Sequence, residues 1–306
     1  MKVLVYFEQK DNQVISNSLE LVNAGKVLGD VTAFAIGEDE KAVQEAAAYG
    51  APIVWVKKKV ENQDETIDLI EQEMKEGGYE AVLFPSTLEG KDLAPRLAAR
   101  CDSCSVTDVV EIREQTFVRP GYGGSVLEQM KFADGKKIFA TVRSGSYEKP
   151  EAGTAAEVTQ RDLTPKAALV KFLEKTVDIT EKVDLEGAQV VVAGGRGCKD
   201  EETFKLVKEL AELLHAEVGA SRPVVEAGWT SRAHQVGQSG KTISPKLYIA
   251  CGISGAMQHI CSVTNADYIV AINKDADAPI FDIADVGMVG RCEKIIPMMI
   301  EAIKAK

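Results

Sequence analysis

Residues 235–259 read QVGQSGKTISPKLYIACGISGAMQH, and this stretch decides the fold that we predict for the second half of the chain. It contains two glycine turns separated by an apolar run at 247–250, which predicts a loop, a buried strand and a tight turn. A helix N-terminus leaves about four backbone N–H groups unpaired and attracts anions. We therefore predict that residues 254–259 form the first turn of a pyrophosphate-binding helix, with Ser254 as its N-cap and Gly255 allowing close backbone approach.

The first glycine turn carries Gln235, Gln238 and Ser239, whose amide and hydroxyl groups can bind the edge of a heteroaromatic ring. A single strand-glycine-helix turn is structural more often than it is ligand-binding. Two polar glycine turns that flank one strand favour a site for a large dinucleotide.

Two further turns extend this pattern upstream. In GGRG at 194–197, Asp200 stands where the dinucleotide fingerprint G-x-G-x-x-G would have its third glycine, so the turn either presents Arg196 to a ligand or is structural. In GASR at 219–222, Arg222 precedes a proline, which predicts an extended backbone that fixes the direction of the guanidinium. The alternative for this arginine is an ordinary surface ion pair.

Taken together and in this order, the motifs closely resemble those of the alpha subunit of electron transfer flavoprotein. The resemblance rests on the turns above and on IVAINKDADAPIFDIADVG at 269–287. It extends from residue 189 to the C-terminus, whereas the first half matches only in length and in its alternation of strands and helices. The resemblance implies one FAD in the second domain, with contacts from Arg196, Ser221, Arg222, Gln235, Val236, Gly237, Gln238, Ser239, Gly240, Ser254, Gly255, Ala256, Met257, Gln258, His259, Asn273, Arg291 and Cys292.

The resemblance also implies roles around the flavin ring. In the family, the residues that match Ser221 and Arg222 contact FAD, and the arginine lies against the isoalloxazine ring, where a cation stabilises negative charge on the reduced ring. The match of His259 implies an N–H donor beside the flavin C2 carbonyl, with a structural role as the alternative. The match of Ser239 implies a hydroxyl facing the flavin N5.

At the adenosine end, Asn273 and residues 254–259 match contacts to the adenosine and the phosphates. The family commonly has an aspartate after the glycine turn that follows, whereas Arg291 follows Gly290 in this chain. This departure weakens the assignment of Arg291 and Cys292 as contacts.

Composition narrows the class of protein. The chain has 306 residues, enough for two domains, with 45% hydrophobic and 27% charged residues. A formal net charge of −11 argues against nucleic acid as a partner, because such binding depends on a basic surface. The first apolar run is too short for a signal peptide and no run approaches the roughly 20 residues that span a bilayer, so we predict a cytoplasmic protein that is not membrane-embedded.

The six cysteines are scattered, which argues against a disulfide scaffold. Cys101 and Cys104 have CxxC spacing, but no second CxxC or HxxxH accompanies them. We favour an ordinary reduced pair over a redox motif or half of a zinc site.

In the first half, short apolar runs alternate with amphipathic segments, which predicts βαβ units and a parallel sheet. The strands are predicted at 3–7, 31–36, 53–56 and 81–84, and the helices at 18–28, 39–49, 65–75 and 91–100. Further strands at 109–112, 124–131 and 137–142 are predicted to be antiparallel or edge strands of the same domain. Residues 85–92 lack a Walker-type Gly-Lys-Ser/Thr, so we interpret them as a helix start and not as an anion site.

A charged stretch at 174–186 predicts a linker. The predicted fold is therefore α/β with two domains, a parallel-sheet, nucleotide-binding-like domain at 1–178 and a doubly wound FAD-binding domain at 186–306. In the family, the first domain holds no nucleotide and serves as a scaffold and as the interface with a beta subunit.

The resemblance implies an electron carrier, the FAD-containing alpha subunit of a heterodimer, and not a stand-alone enzyme. Its implied partners are a beta subunit that carries AMP or a second FAD, an acyl-CoA or other flavin dehydrogenase, and ferredoxin or flavodoxin. Residues 234–240, with Trp229 upstream, favour the bifurcating type that takes electrons from NADH. A pyridine-nucleotide-dependent dehydrogenase subunit and a non-redox nucleotide-binding regulatory module are the alternatives.

Overall fold

The computed structural model describes residues 1–10, 12–166, 170, 173–174, 183–263 and 265–305. The chain divides into two compact units, Met1–Lys175 and Thr176–Lys306. Each unit contains its own parallel sheet, which confirms the predicted two-domain α/β fold. Residues 175–182 of the predicted linker lie outside the described residues.

The first unit alternates strands and helices through its first hundred residues, and the predicted segments agree with the observed ones to within about three residues. Its helices are α1 (Ser16–Lys26), α2 (Glu40–Ala47), α3 (Gln63–Gly77) and α4 (Leu88–Arg100). Its strands are β1 (Lys2–Phe7), β2 (Gln9–Lys10), β3 (Gln13–Val14), β4 (Asp30–Ile36), β5 (Ile53–Val56), β6 (Ala81–Pro85), β7 (Ser105–Val109), β8 (Glu111–Arg113), β9 (Thr116–Gly121), β10 (Val126–Lys131), β11 (Ile138–Val142) and β12 (Val158–Gln160).

Seven of these strands form a parallel sheet in the order β12-β5-β4-β1-β6-β11-β7. The sheet is buried on both faces, because alternate residues of β1 enter different apolar clusters. Val3 and Val5 belong to one cluster, and Leu4 and Tyr6 to the other. Burial on both faces explains why β1 is a continuous apolar run.

The helix starts of this unit follow their capping residues. The Asp39 side chain accepts hydrogen bonds from two N–H groups of α2, and the Asn62 side chain accepts one from Glu65 of α3. The Thr87 hydroxyl accepts a hydrogen bond from the Gly90 N–H at 3.0 Å. Residues 85–92 are thus a capped helix start, as predicted.

The prediction for 137–142 was wrong. These residues form β11, which lies between β6 and β7 and runs parallel to both. Every residue of β11 is buried, and an interior strand supplies that burial better than an edge strand does. The prediction of antiparallel strands is confirmed only for the separate small sheet β10-β9-β8.

The second unit carries a five-stranded parallel sheet in the order β14-β13-β15-β16-β17. The chain passes from β13 to β14 on one side and then returns to place β15 on the other side of β13. Its strands are β13 (Val190–Gly194), β14 (Glu217–Ala220), β15 (Leu247–Cys251), β16 (Ile269–Asn273) and β17 (Val286–Val289), and its helices are α5 (Glu201–Leu213), α6 (Arg222–Glu226), α7 (Met257–Ile260) and α8 (Cys292–Lys304).

This sheet is also covered on both faces. Val192 of β13 packs in the cluster that includes Phe204 of α5 and Ile296 of α8, whereas Val191 packs in the opposite cluster with Tyr248 of β15. Ligands of open α/β sheets bind where the strand order reverses, at the carboxyl ends of the strands. In this unit that place lies between β13 and β15.

No helix within the described residues has both the length and the apolar character needed to cross a bilayer.

Candidate functional site

A cavity of about 630 Å³ opens at the carboxyl ends of β13, β14, β15 and β16. Its position is the reversal point of the sheet, and its volume is typical of small-molecule and cofactor sites. It is lined by Arg196, Gly197, Ser221, Arg222, Pro223, Gln235, Val236, Gly237, Gln238, Ser239, Gly252, Ile253, Ser254, Ala256, Gln258, His259, Asn273, Lys274, Asp275, Ala278 and Pro279.

Two glycine turns contact each other beside the cavity. The Gly195 N–H donates to the Cys251 carbonyl and the Gly197 N–H donates to the Gly252 carbonyl, each at 2.8 Å. A Cβ on Gly252 would lie 2.6 Å from the Cys198 backbone nitrogen, and Gly252 has a φ of +66°. Glycine is therefore required for the GGRG turn after β13 and the turn after β15 to approach this closely.

The GGRG turn does not open a dinucleotide fingerprint. Asp200, at the position of the missing glycine, is the N-cap of α5 and accepts a hydrogen bond from the Thr203 N–H at 2.9 Å. The structure thus gives this departure a helix-capping role, and it leaves Arg196 of the same turn at the cavity.

The QVGQSG loop is hydrogen-bonded to the end of β14 and to α7. The Val236 N–H donates to the Ala220 carbonyl at 2.9 Å, and the Gln238 N–H donates to the Gln258 carbonyl at 2.7 Å. Within the loop, Gln235 Nε2 donates to Ser239 Oγ at 2.9 Å. These bonds hold the loop along the wall of the cavity.

Ser254 is not the N-cap that we predicted. Helix α7 is four residues long, Ala256 occupies its N-cap position, and no side chain caps it. Gly255 (φ +82°) does allow a close approach, but its neighbour is the backbone at Pro279 and Ile280. The glycine bends the chain to pack against this segment before the helix can begin.

The predicted extended conformation of Arg222 was also wrong. Arg222 is the first residue of α6, and the extended residue is Ser221, at φ −76° and ψ 155°. Pro223 is tolerated because a first-turn residue needs no N–H partner within the helix. Arg222 Nε forms an ion pair with Glu226 Oε1 at 2.7 Å, and the arginine side chain remains 66% exposed at the cavity.

Ser221, in the cavity lining, carries a buried hydroxyl. Its Oγ is inaccessible to water and has no hydrogen bond among the described residues, although the residue lines the cavity. A buried polar atom without a partner costs about 1–3 kcal/mol. A polar ligand in the cavity would remove this cost, so the residue fits a bound group such as a flavin nucleotide.

The charged groups of the cavity favour an anion. Arg196, Arg222 and Lys274 line it, opposed only by Asp275 within the lining and by Glu226 beside Arg222. Neither Arg196 nor Lys274 has an ion-pair partner in the part of the chain that the structure describes. In a chain with a net charge of −11, a cavity with a positive surplus suits a phosphate-bearing ligand.

His259 lies in the cavity wall and is largely buried. The ring Nε2 lies 2.7 Å from the buried Tyr248 hydroxyl. Burial lowers the pKa of His259 to about 4, against a smaller opposing effect of the Val236 backbone. The histidine is therefore neutral at pH 7.

Asn273, at the end of β16, holds the turn that follows it. Its Nδ2 donates to the Ile253 carbonyl at 2.9 Å, and its Oδ1 accepts from the Asp275 N–H at 3.0 Å. Asn273 thus joins the turns after β15 and β16, which places Lys274 and Asp275 at the cavity.

The structure brings thirteen of the predicted contacts to the cavity and leaves five outside its lining. Gly240, Gly255 and Met257 lie in the same turns. Arg291 lies at the start of α8, 3.8 Å from Glu293, and Cys292 is buried in the core. Lys274, Asp275, Ala278 and Pro279 were missed, although the motif at 269–287 includes them.

The cysteines are all free thiols, and three of them are buried beside the glycine turns. Cys198 Sγ donates to the Cys251 carbonyl at 3.3 Å, and the neighbouring Cys292 thiol together with burial raises the pKa of the Cys198 thiol. No group of three or more potential metal ligands occurs within the described residues.

Comparisons with known proteins point to one family. A model of the electron transfer flavoprotein FAD-binding domain matches residues 184–264, and a model of the electron transfer flavoprotein domain matches residues 3–168. Among curated proteins, the electron transfer flavoprotein subunit alpha of Thermoanaerobacterium thermosaccharolyticum is 36% identical and that of Bacillus subtilis 37% identical, each match covering 99% of this chain and 97% of the relative. The subunit of the same name from Megasphaera elsdenii is 39% identical over 99% of this chain and 96% of the relative.

Proposed function

The chain belongs to the electron transfer flavoprotein alpha-subunit family, and from this premise we propose that it binds one FAD in the cavity of its second unit and carries electrons between flavoenzymes. The observation that carries the proposal is the cavity at the reversal point of the second sheet, where the buried Ser221 hydroxyl has no partner among the described residues. Bound FAD would supply the one-electron and two-electron chemistry. The chain would hold, orient and shield it.

Each group of lining residues has a separate task in this proposal. Arg196, Lys274 and the backbone of the turns after β13 and β15 would hold the phosphates. Ser221 and the QVGQSG loop would bind polar atoms of the flavin ring, and Arg222 would place a cation near it. Asn273 would fix the turn on which Lys274 stands.

The proposal is tested by the content of the purified chain, obtained with the product of its neighbouring gene. We expect a yellow protein from which acid releases one FAD for each alpha chain. Substitution of Arg196 and Lys274 together by alanine should weaken FAD binding, because two of the three lining cations are lost. A colourless complex that fails to take up added FAD, or one that binds NADH in its place, would contradict the proposal.

We also propose that the chain works as a heterodimer with a beta subunit and that the dimer is of the bifurcating type, with ferredoxin or flavodoxin as an acceptor. The support is the likeness of residues 234–240, with Trp229 upstream, to bifurcating chains. Trp229 itself packs against Phe204, with ring centroids 6.3 Å apart, and does not line the cavity. Two FAD released from each dimer would support bifurcation, whereas one FAD and one AMP would leave a simple carrier for an acyl-CoA or other flavin dehydrogenase.

A further inference from the structure

His234 is a buried histidine that directly precedes the QVGQSG loop. It ends the short helical turn Arg232–His234, its exposed fraction is 7%, and it is not among the residues that line the cavity. Its ring Nδ1 lies 2.7 Å from the Val218 carbonyl of β14. A carbonyl oxygen can only accept a hydrogen bond, so Nδ1 carries a hydrogen and donates it, whatever the state of the other ring nitrogen.

This bond satisfies the open edge of the second sheet. Among the described strands, β14 is the last on its side, so its outward carbonyls need partners from outside the sheet. In a parallel pair, alternate carbonyls of one strand accept from alternate N–H groups of its neighbour. The Ala220 carbonyl follows this rule, because it accepts from the Val236 N–H at 2.9 Å, and Ala220 pairs with Gln235 in a parallel bridge.

By the same rule, the Val218 carbonyl would accept from the backbone N–H of His234. That N–H instead donates to the Ser231 carbonyl at 3.2 Å, inside the turn, and is not available to the sheet edge. The imidazole N–H takes its place at Val218. The side chain therefore lets the chain turn at 231–234 and still join the sheet edge, and the two bonds to β14 fix where the QVGQSG loop begins.

We propose that His234 is a positioning residue for the bound flavin, and that its Nδ1–H holds the QVGQSG loop in register with β14. The register matters because Gln235 Nε2 donates to Ser239 Oγ at 2.9 Å within the loop, and both residues line the cavity. Ser221 and Arg222, also in the lining, directly follow β14, so the histidine joins two polar segments of the cavity wall. The consequence for a flavin rests on the proposed function, whereas the register of the loop does not.

The register of the loop can be measured without flavin, by amide hydrogen exchange of the full chain. His234→Phe keeps an aromatic ring but removes the donor, so the Val236 N–H should exchange about fivefold to tenfold faster relative to the N–H groups of β15, the equivalent of one lost hydrogen bond. His234→Asn places its Nδ2 donor as many bonds from the backbone as Nδ1 is, and it should restore the original rate. His215→Phe, at an exposed histidine of the same unit, should leave the Val236 rate unchanged.

Nitrogen NMR of the unsubstituted chain labelled with ¹⁵N-histidine keeps the proposal testable if a variant fails to fold. His234 should carry its hydrogen on Nδ1, and a bare Nδ1 would overturn the proposal. An unchanged Val236 exchange rate in His234→Phe would overturn it as well. So would a His234→Asn protein that exchanges as fast as His234→Phe, because a donor at this position would then not be what holds the loop.

Calorimetric titration with FAD tests the consequence for the ligand. His234→Phe should weaken FAD binding about fivefold to tenfold and change the circular dichroism of the bound flavin, and His234→Asn should restore both. If the exchange result holds but the unsubstituted chain binds no FAD, the proposed function fails and the role of His234 in holding the loop stands. If all three proteins bind FAD equally well and with the same spectrum, the positioning role is overturned and the proposed function stands.

Discussion

At the scale of single residues, the buried hydroxyl of Ser221 leads us to expect opposite effects of its removal on stability and on FAD affinity. In Ser221→Ala, the ligand-free protein loses a buried unsatisfied group, so its free energy of unfolding should rise by about 1 kcal/mol. FAD loses a hydrogen-bond partner, so its affinity should fall about fivefold to tenfold. Urea unfolding without ligand and calorimetric FAD titration measure the two effects.

Ser254→Ala provides the control for stability, because Ser254 lines the same cavity but is exposed. It should not stabilise the ligand-free protein. If Ser221→Ala destabilises the ligand-free protein and leaves FAD affinity intact, then the hydroxyl serves the fold and not the ligand.

Arg222 leads to a prediction about the reduction potential of the bound flavin. Removing its cation in Arg222→Ala should make reduction of the bound flavin less favourable and lower a one-electron potential by up to about 59 mV, the equivalent of a tenfold change. The effect is limited by the exposure of the side chain and by its ion pair with Glu226. Spectroelectrochemical titration measures it, and Arg291→Ala, outside the cavity lining, should leave the potential unchanged. Equal potentials in all three proteins would make Arg222 an ordinary surface ion pair.

The sequence predicted which residues lie at the site better than it predicted the hydrogen bonds and turns that position them. Gln235, Ser239 and Asn273 lie where their motifs suggested. The partnership of Tyr248 and His259 was not predicted, because the two residues meet across a strand and a turn, and no local pattern marks a long-range hydrogen bond. Lys274 and Asp275 were missed because their positions depend on the Asn273 turn.

At the scale of elements, the contact between the two glycine turns can be isolated with a pair of variants. Gly252→Ala should cost about 1–2 kcal/mol for its positive φ and at least about 1 kcal/mol more for the clash with the backbone of Gly197 and Cys198. Gly228→Ala has a similar φ of +77° but no atom within 4 Å of the added Cβ, so it should show only the first cost. Urea unfolding of the ligand-free variants measures both. Equal losses would mean that the turns adjust to each other freely.

The predicted helix start at 254 and the predicted placement of β11 were wrong because tertiary packing, and not local sequence, determined them. The motif at 254–259 has serine and glycine in the places of a helix start, yet α7 begins at Met257 because Gly255 first packs against the backbone at Ile280. The apolar residues of β11 could not reveal their neighbours, since an interior parallel strand and an edge strand share the same short apolar pattern. Strands followed by amphipathic helices were predicted well, because each carries its own periodicity.

At the scale of the whole molecule, the two units have separate apolar cores, so we expect calorimetry to resolve two unfolding transitions that respond to different changes. Saturating FAD should raise the unfolding temperature of the second unit. At a hundredfold excess over Kd, FAD adds about 2.7 kcal/mol to the free energy of unfolding of that unit. Glu20 of α1 should contribute to the pH response of the first unit. Burial raises the pKa of Glu20 from 4.5 to about 7, although hydrogen bonds from Gly145 and Ser144 oppose the shift.

The raised pKa of Glu20 determines the direction in which the stability of the first unit changes with pH. The folded first unit keeps the Glu20 proton where the unfolded chain has lost it, so this stabilisation is complete below about pH 4.5 and is lost as the pH rises through about 7. Glu20→Gln should remove this contribution to the pH dependence and stabilise the first unit at pH 8, by up to about 3 kcal/mol. It should leave the FAD-sensitive transition unchanged. One transition that moves with both FAD and Glu20→Gln would show that the units unfold together.

The contact between the GGRG turn and Gly252 also determines which codon changes the gene can tolerate at these positions. Glycine is the only amino acid without a Cβ, so every missense change in the codons of Gly195, Gly197 or Gly252 places a carbon against the main chain of the facing turn. These three codons should therefore admit little beyond synonymous change. In a large set of natural alleles, we would therefore expect the strongest purifying selection at positions that contribute no side chain at all.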